Sequence, residues 1–294
     1  MNLGRLFQKK EETGDMKTTP AAEEIQKSTV KTKEKRKVGQ YIYGTCQSVG
    51  RQREHNEDAL FAMSSIMREG ETEFPFGLFI VADGMGGHQH GEVASGAAIR
   101  ALSGYLLQRL VIPMMTGTAA SIDSSLQELM EQGFEEAQDA VIQTAPGGGT
   151  TLTAALVVGD QVTIGHVGDS RAYFALTDGE LEPITKDHSL VKRLLELGQI
   201  SEKEASVHPQ RNVLYRAVGQ TEPYRPDIET LSFPSPGSLM ICSDGLWGVV
   251  GKTNLQKALR KSGSQIEICQ RMVDMANQAG GPDNISVILV QNFE

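Results

Sequence analysis

Phe76-Gly77-Leu78-Phe79-Ile80-Val81-Ala82-Asp83-Gly84-Met85-Gly86-Gly87-His88 reads as a buried strand that ends in a carboxylate and then turns sharply on glycines. The same grammar recurs at Ser238-Leu239-Met240-Ile241-Cys242-Ser243-Asp244-Gly245. Two acids delivered at the ends of apolar strands repel each other at close range. Such pairs persist when a cation holds them together.

Outward from these two stretches, the chain alternates blocks of strand with blocks of helix. Tyr41 to Cys46 and Glu57 to Met63 read as strands, joined by a polar loop with Arg51, Arg53, His55 and Asn56. Glu92 to Val111 and Ser121 to Gln143 carry apolar residues at helical spacing, with Ser121 as the expected N-cap. Residues 150–158 and 161–167 flank the Gly159-Asp160 turn, and Arg171 to Leu176 and Glu180 to Ile184 flank Asp178-Gly179, two hairpin signals. His188 to Leu197 reads as a short helix ended by Gly198, and the proline-rich residues 199–235 as loop. Ser238 to Cys242 and Ile285 to Val290 are expected strands, with helices over Asn254 to Lys261 and Ser264 to Gln278 between them. Consecutive hairpins with helices inserted in blocks do not alternate as βαβα. They predict an α+β layered domain of antiparallel sheets with helices packed outside.

A chain of 294 residues can bury a large core. Its net charge of −9 argues against a nucleic-acid binder. The charge is uneven. Residues 1–37 hold 10 Lys/Arg against 6 Asp/Glu, while the remainder holds 18 against 31. The first segment has almost no large apolar side chains after Phe7 and is expected to be a solvated, basic, disordered tail, with one domain over 38–292. No apolar run is long enough to cross a bilayer, and Met1 to Phe7 gives way to charge too early for a secretion signal. Cys46, Cys242 and Cys269 are odd in number and far apart, which predicts no disulfide framework and a cytoplasmic protein.

Five acids stand beside an apolar strand and a turn: Asp58, Asp83, Asp169, Asp244 and Asp283. Any one alone is ordinary turn chemistry. Five in the same context point to a shared role. If they converge, the ligand set is all oxygen, which selects Mg²⁺ or Mn²⁺ over zinc. Gly84 would let a backbone carbonyl approach the ion with no side chain in the way. Cys46 sits at the end of a strand pattern and is expected to be a packed thiol. Trp247 is read as core.

Arg53-Glu54-His55-Asn56-Glu57-Asp58, Asp83-Gly84-Met85-Gly86-Gly87-His88, Gly149-Thr150-Thr151, Val167-Gly168-Asp169-Ser170-Arg171, Asp187-His188-Ser189-Leu190, Ser243-Asp244-Gly245-Leu246 and Gly281-Pro282-Asp283-Asn284 occur in that order. The ordered set resembles the protein phosphatase 2C-type, metal-dependent serine/threonine phosphatases, particularly their bacterial branch, over roughly residues 38–292. The resemblance implies two antiparallel β-sheets sandwiched between outer layers of α-helices. It implies two Mg²⁺ or Mn²⁺ ions shared by Asp58, with Asp83 and the Gly84 carbonyl completing one site. Asp244 and Asp283 would complete the other, with Glu57 acting through water. Asp169 with Asp244 resembles a third, weaker metal site, and Arg53 the phosphate clamp. Arg51 competes for that last role, and spacing favours Arg53.

The activity implied is hydrolysis of phosphoserine and phosphothreonine on proteins, opposite a Ser/Thr kinase system. A catalytically silent phosphoprotein-binding relative and a small-molecule phosphomonoesterase are the alternatives. Some relatives place a histidine after the Asp-Gly pair. Met85 stands there and can donate no proton, which leaves His88 or a bound water to protonate the leaving group. Leu190 to Gly198 and the following loop, with Arg211, Arg216 and Arg225, resemble the family's flap. His55, His166 and His188 are read as structural or loop residues.

Overall fold

A computed structural model describes residues 41–69, 72–86, 89–116, 124–220 and 224–292. The basic tail expected at 1–37, the Ser121 cap and His88 lie outside the described residues. The strands are β1 (Tyr41–Ser48), β2 (Asp58–Glu69), β3 (Thr72–Met85), β4 (Gly149–Thr150), β5 (Leu152–Val158), β6 (Gln161–Val167), β7 (Arg171–Ala175), β8 (Leu181–Pro183), β9 (Asp227–Ser232), β10 (Gly237–Cys242) and β11 (Ile285–Asn292). The helices are α1 (Gln89–Leu106), α2 (Ile112–Met115), α3 (Leu126–Thr144), α4 (Leu190–Glu196), α5 (Glu202–Ser206), α6 (Asp244–Val250), α7 (Lys252–Leu259) and α8 (Gln265–Gln278).

The strands form two antiparallel sheets, one in the order β1-β11-β10-β7-β8 and the other β2-β3-β5-β6-β9, with β4 beside β3. The continuous apolar run in β3 has its explanation here. Leu78, Ile80 and Ala82 pack with Leu102, Met130 and Phe134 of α1 and α3, whereas Phe79 and Val81 join Ile241 and Ile288 between the sheets. β11 does the same from the other side, with Val287 and Leu289 against Leu246, Cys269 and Met272 of α6 and α8 and Ile288 and Val290 facing the first sheet's partner. A strand covered on both faces has no polar face to alternate with. Two such central strands make four layers, helix–sheet–sheet–helix. Each fully buried Leu, Ile or Phe contributes about 1.5–3 kcal/mol to holding them together.

Two expectations change. α3 starts at Leu126 with Ser125 as its cap, in a reciprocal box with Glu128; the Ser-x-x-Glu spacing was the better signal. Residues 199–235 are not all loop. They contain α5, capped by Ser201 with Glu204, and β9, which completes the edge of the second sheet by pairing with β6. Pro226 and Pro234 bracket β9 and mask it, because proline density reads as loop while an edge strand tolerates flanking prolines.

Candidate metal centre

β2 and β3 pair so that Asp58 stands opposite Asp83, and the two strand ends meet at one rim of the sandwich. β10 delivers Ser243 and Asp244 from the other sheet, and the residues before β11 deliver Asp283. All four acids interact electrostatically, and Asp169, after β6, interacts with Asp83 and Asp244. Chain order scatters them over more than 220 positions. The sandwich brings all five together.

Asp58 is buried, and its Oδ2 accepts hydrogen bonds from the Ser243 hydroxyl at 2.8 Å and the Ser286 hydroxyl at 2.6 Å. Its Oδ1 is buried with no partner. Loss of hydration is the main force raising its pKa, to about 7, with Asp244 and Asp283 adding repulsion against the two serine hydrogen bonds. Burial, then Asp283, pushes Asp244 up to about 6, although a carboxyl–carboxyl hydrogen bond with Asp83 and the charge of Arg53 work the other way. Burial first, and the surrounding acids second, hold Asp83 and Asp169 well above the ordinary carboxylate range. Proteins do not gather this much repelling charge for stability.

The backbone around these acids is tied down. The Asp83 N–H donates to Thr151 Oγ1 at 3.0 Å, and its carbonyl accepts from the Thr151 N–H and Thr150 Oγ1. Glu57's carbonyl accepts from the Gly84 N–H and from Ser95 of α1. A Cβ on Gly84 would stand 2.2 Å from the Gly91 carbonyl oxygen and 2.6 Å from that of Glu57, so glycine is required by close backbone packing. Asn284 staples the loop before β2, donating to the Val49 and His55 carbonyls and accepting from the Glu57 N–H. Arg53 is exposed and pairs with Asp283 at 2.8 Å. Arg51 instead is held to the Gly281 carbonyl by its backbone N–H.

Sequence reasoning missed Ser243 and Ser286 as partners of Asp58, and the staple formed by Asn284. Ser243 and Asn284 lay inside quoted motifs. Ser286 carries no local signal. Trp247 is only partly core: it packs on the second helix layer, donates from Nε1 to the Asp169 carbonyl at 3.0 Å, and stacks on Arg171. His166 and His188 are buried and hydrogen-bonded, as a structural reading expects.

The donor set fits a hard divalent cation: carboxylates and a glycine carbonyl, one buried carboxylate oxygen lacking any partner, and no nitrogen or sulfur ligand among them. Among the described residues no three such side chains are already closed on one ion-sized point, and Asp83 and Asp244 lean on each other instead.

A sequence profile described as protein phosphatase 2C matches residues 47–289. The chain belongs to the protein phosphatase 2C family. A serine/threonine phosphatase, Stp, of Listeria welshimeri is 37% identical over 242 residues, covering 82% of this chain and 92% of that protein. The solved serine/threonine phosphatase of S. agalactiae superposes with a TM-score of 0.71 at 31% identity, covering 86% of this chain and 99% of the other. The catalytic domain of the serine/threonine phosphatase PstP, solved in complex with two manganese ions, superposes with a TM-score of 0.69 at 28% identity, over 87% and 99% of the two chains. These protein phosphatase 2C structures share the two-sheet, helix-flanked sandwich seen here.

Proposed function

We propose that this chain hydrolyses phosphoserine and phosphothreonine esters of proteins, with residues 38–292 as the catalytic unit. Two Mg²⁺ or Mn²⁺ ions would be held by Asp58, Asp83, the Gly84 carbonyl, Asp244 and Asp283, with Glu57 acting through water and Asp169 with Asp244 forming a third, weaker site. Divalent ions bound there would supply an activated water near neutral pH and neutralise phosphoryl oxygens, the charge stabilisation that a very slow uncatalysed hydrolysis requires.

The protein's own residues do the rest. Ser243 and Ser286 fix Asp58 through its Oδ2 and leave its buried Oδ1 without a partner. Thr150 and Thr151 hold the Asp83 backbone against movement. Arg53 lies at the exposed edge beside Asp283, where its planar fork can pair with two phosphate oxygens. Met85 offers no proton to the leaving group.

The observation that carries this reading is the partnerless, buried Oδ1 of Asp58 among four other acids. A cation removes that cost, and a silent binding protein would have no reason to keep it. The phosphoproteins acted on would come from ATP-dependent Ser/Thr kinases in the same, cytoplasmic, compartment. Among the described residues no helix is long and apolar enough to cross a membrane. The test is hydrolysis of p-nitrophenyl phosphate and of a phosphoserine peptide with Mn²⁺ and with chelator. Turnover of both, dependent on metal, is expected. Turnover of neither would sink the proposal.

A further inference from the structure

Beside Asp169 lies a cavity of about 380 Å³ whose charge opposes that of its surroundings. Residues 38–294 carry 18 Lys/Arg against 31 Asp/Glu. Yet Arg171, Lys186, Lys192 and Lys252 line this pocket, with Asp187 as its one acid. Asp187 is already neutralised, because Arg171 donates to both its oxygens, at 2.7 and 2.6 Å. Trp247 stacks on the face of the same guanidinium, whose carbon lies 3.4 Å from the ring centroid. Arg171 is therefore a fixed floor with its charge spent.

That leaves three lysines. They come from two segments: Lys186 precedes α4, Lys192 lies in its first turn, and Lys252 opens α7. None has an ion-pair partner among the described residues. Lys186 and Lys252 are exposed and Lys192 is half-buried, and all three border the one concavity. An anion held there would be attracted by all three charges. Trp247 joins the two sites physically, since its indole N–H holds the Asp169 carbonyl.

We infer that this pocket is an accessory anion subsite that binds a second phosphorylated residue of the phosphoprotein whose ester is cut at the acid cluster. The inference rests on the phosphatase reading above and adds a substrate preference to it. A phosphate dianion suits the lysines better than a single carboxylate, because it offers three acceptor oxygens to three ammonium groups.

The test uses the full chain with Mn²⁺ and three peptides sharing one phosphoserine. The first is flanked at either side by a non-hydrolysable phosphonate residue, the second by glutamates and the third by neutral residues. Wild type should favour the phosphonate-flanked peptide over the neutral one by about tenfold in kcat/KM, with glutamates intermediate. Lys192→Glu/Lys252→Glu should abolish that preference while leaving p-nitrophenyl phosphate turnover unchanged, and Lys192→Gln/Lys252→Gln should reduce it. Anisotropy binding of the labelled phosphonate peptide without metal should weaken in parallel. Equal kcat/KM for all three peptides in wild type, or a charge reversal that leaves the preference intact, overturns the subsite. An equal preference for glutamates assigns it to carboxylates instead and overturns the phosphate assignment. If wild type hydrolyses no substrate, the phosphatase reading falls, and the binding measurement alone decides the subsite.

Discussion

Asp58 and Asp83 stand directly opposite each other across the antiparallel β2–β3 ladder. Like charges in that position destabilise a hairpin by up to about 1 kcal/mol, and here burial adds to the cost. In chelator, Asp83→Asn should therefore raise the unfolding midpoint. Mn²⁺ should stabilise the wild type more than this variant, and turnover should be lost. Asp244→Ala should abolish turnover as well, whereas Asp169→Ala should only weaken it. Wild-type activity in Asp244→Ala would show the proposed ligand set to be wrong.

Arg53→Ala should act on substrate binding. The guanidinium is exposed and its visible partner is Asp283, so its removal leaves no buried group stranded. Losing charge-assisted hydrogen bonds made in both ground and transition states should raise KM by about tenfold or more with a smaller change in kcat. Arg53→Lys should recover little, because a point charge cannot grip two oxygens at once. Steady-state kinetics on a phosphopeptide check this, and an unchanged KM would return the clamp role to Arg51.

Gly84→Ala should damage the site and the fold together. The added methyl meets backbone atoms of Gly91 and Glu57, which no side-chain rotation can move aside. Overpacking of this kind costs about 1–3 kcal/mol. The strain falls between Asp83 and the start of α1, so turnover should fall further than the unfolding midpoint alone accounts for. Full activity in a stably folded Gly84→Ala protein would refute the packing argument.

His166 gives a pH signature separate from the acids. Burial, and then the neighbouring His188, depress its pKa to about 4, from an ordinary value near 6.5. The unfolded chain therefore binds a proton that the folded protein refuses. Stability from this residue is fully present above about pH 6.5 and is lost as pH falls toward 4, on the order of 3 kcal/mol. His166→Gln removes the titration, so the stability gap between wild type and variant should shrink across that window in urea unfolding. A gap that does not vary with pH would contradict it.

Much of the fold was legible because local chemistry and tertiary packing agree. The apolar runs in β3 and β11 read as buried strands, and they are buried because helices cover one face and the opposite sheet the other. β9 was not legible, since its sequence is bracketed by prolines and its edge pairing with β6 is a long-range event. The acids were visible as strand-end carboxylates. The serine partners of Asp58 and the lysine-lined pocket were not.

The sequence by itself determined which residue types would end the strands, which segments had to be covered on both faces, and that the side chains at those strand ends would offer oxygen as donor atoms. Only the tertiary structure decided that Ser243 and Ser286 would occupy one oxygen of Asp58 and leave the other bare. It also decided that Lys252 would share a concavity with Lys186 and Lys192, some sixty positions earlier. Apolar periodicity is written within a few consecutive residues, whereas the meeting of groups scores of positions apart depends on how two sheets close on each other.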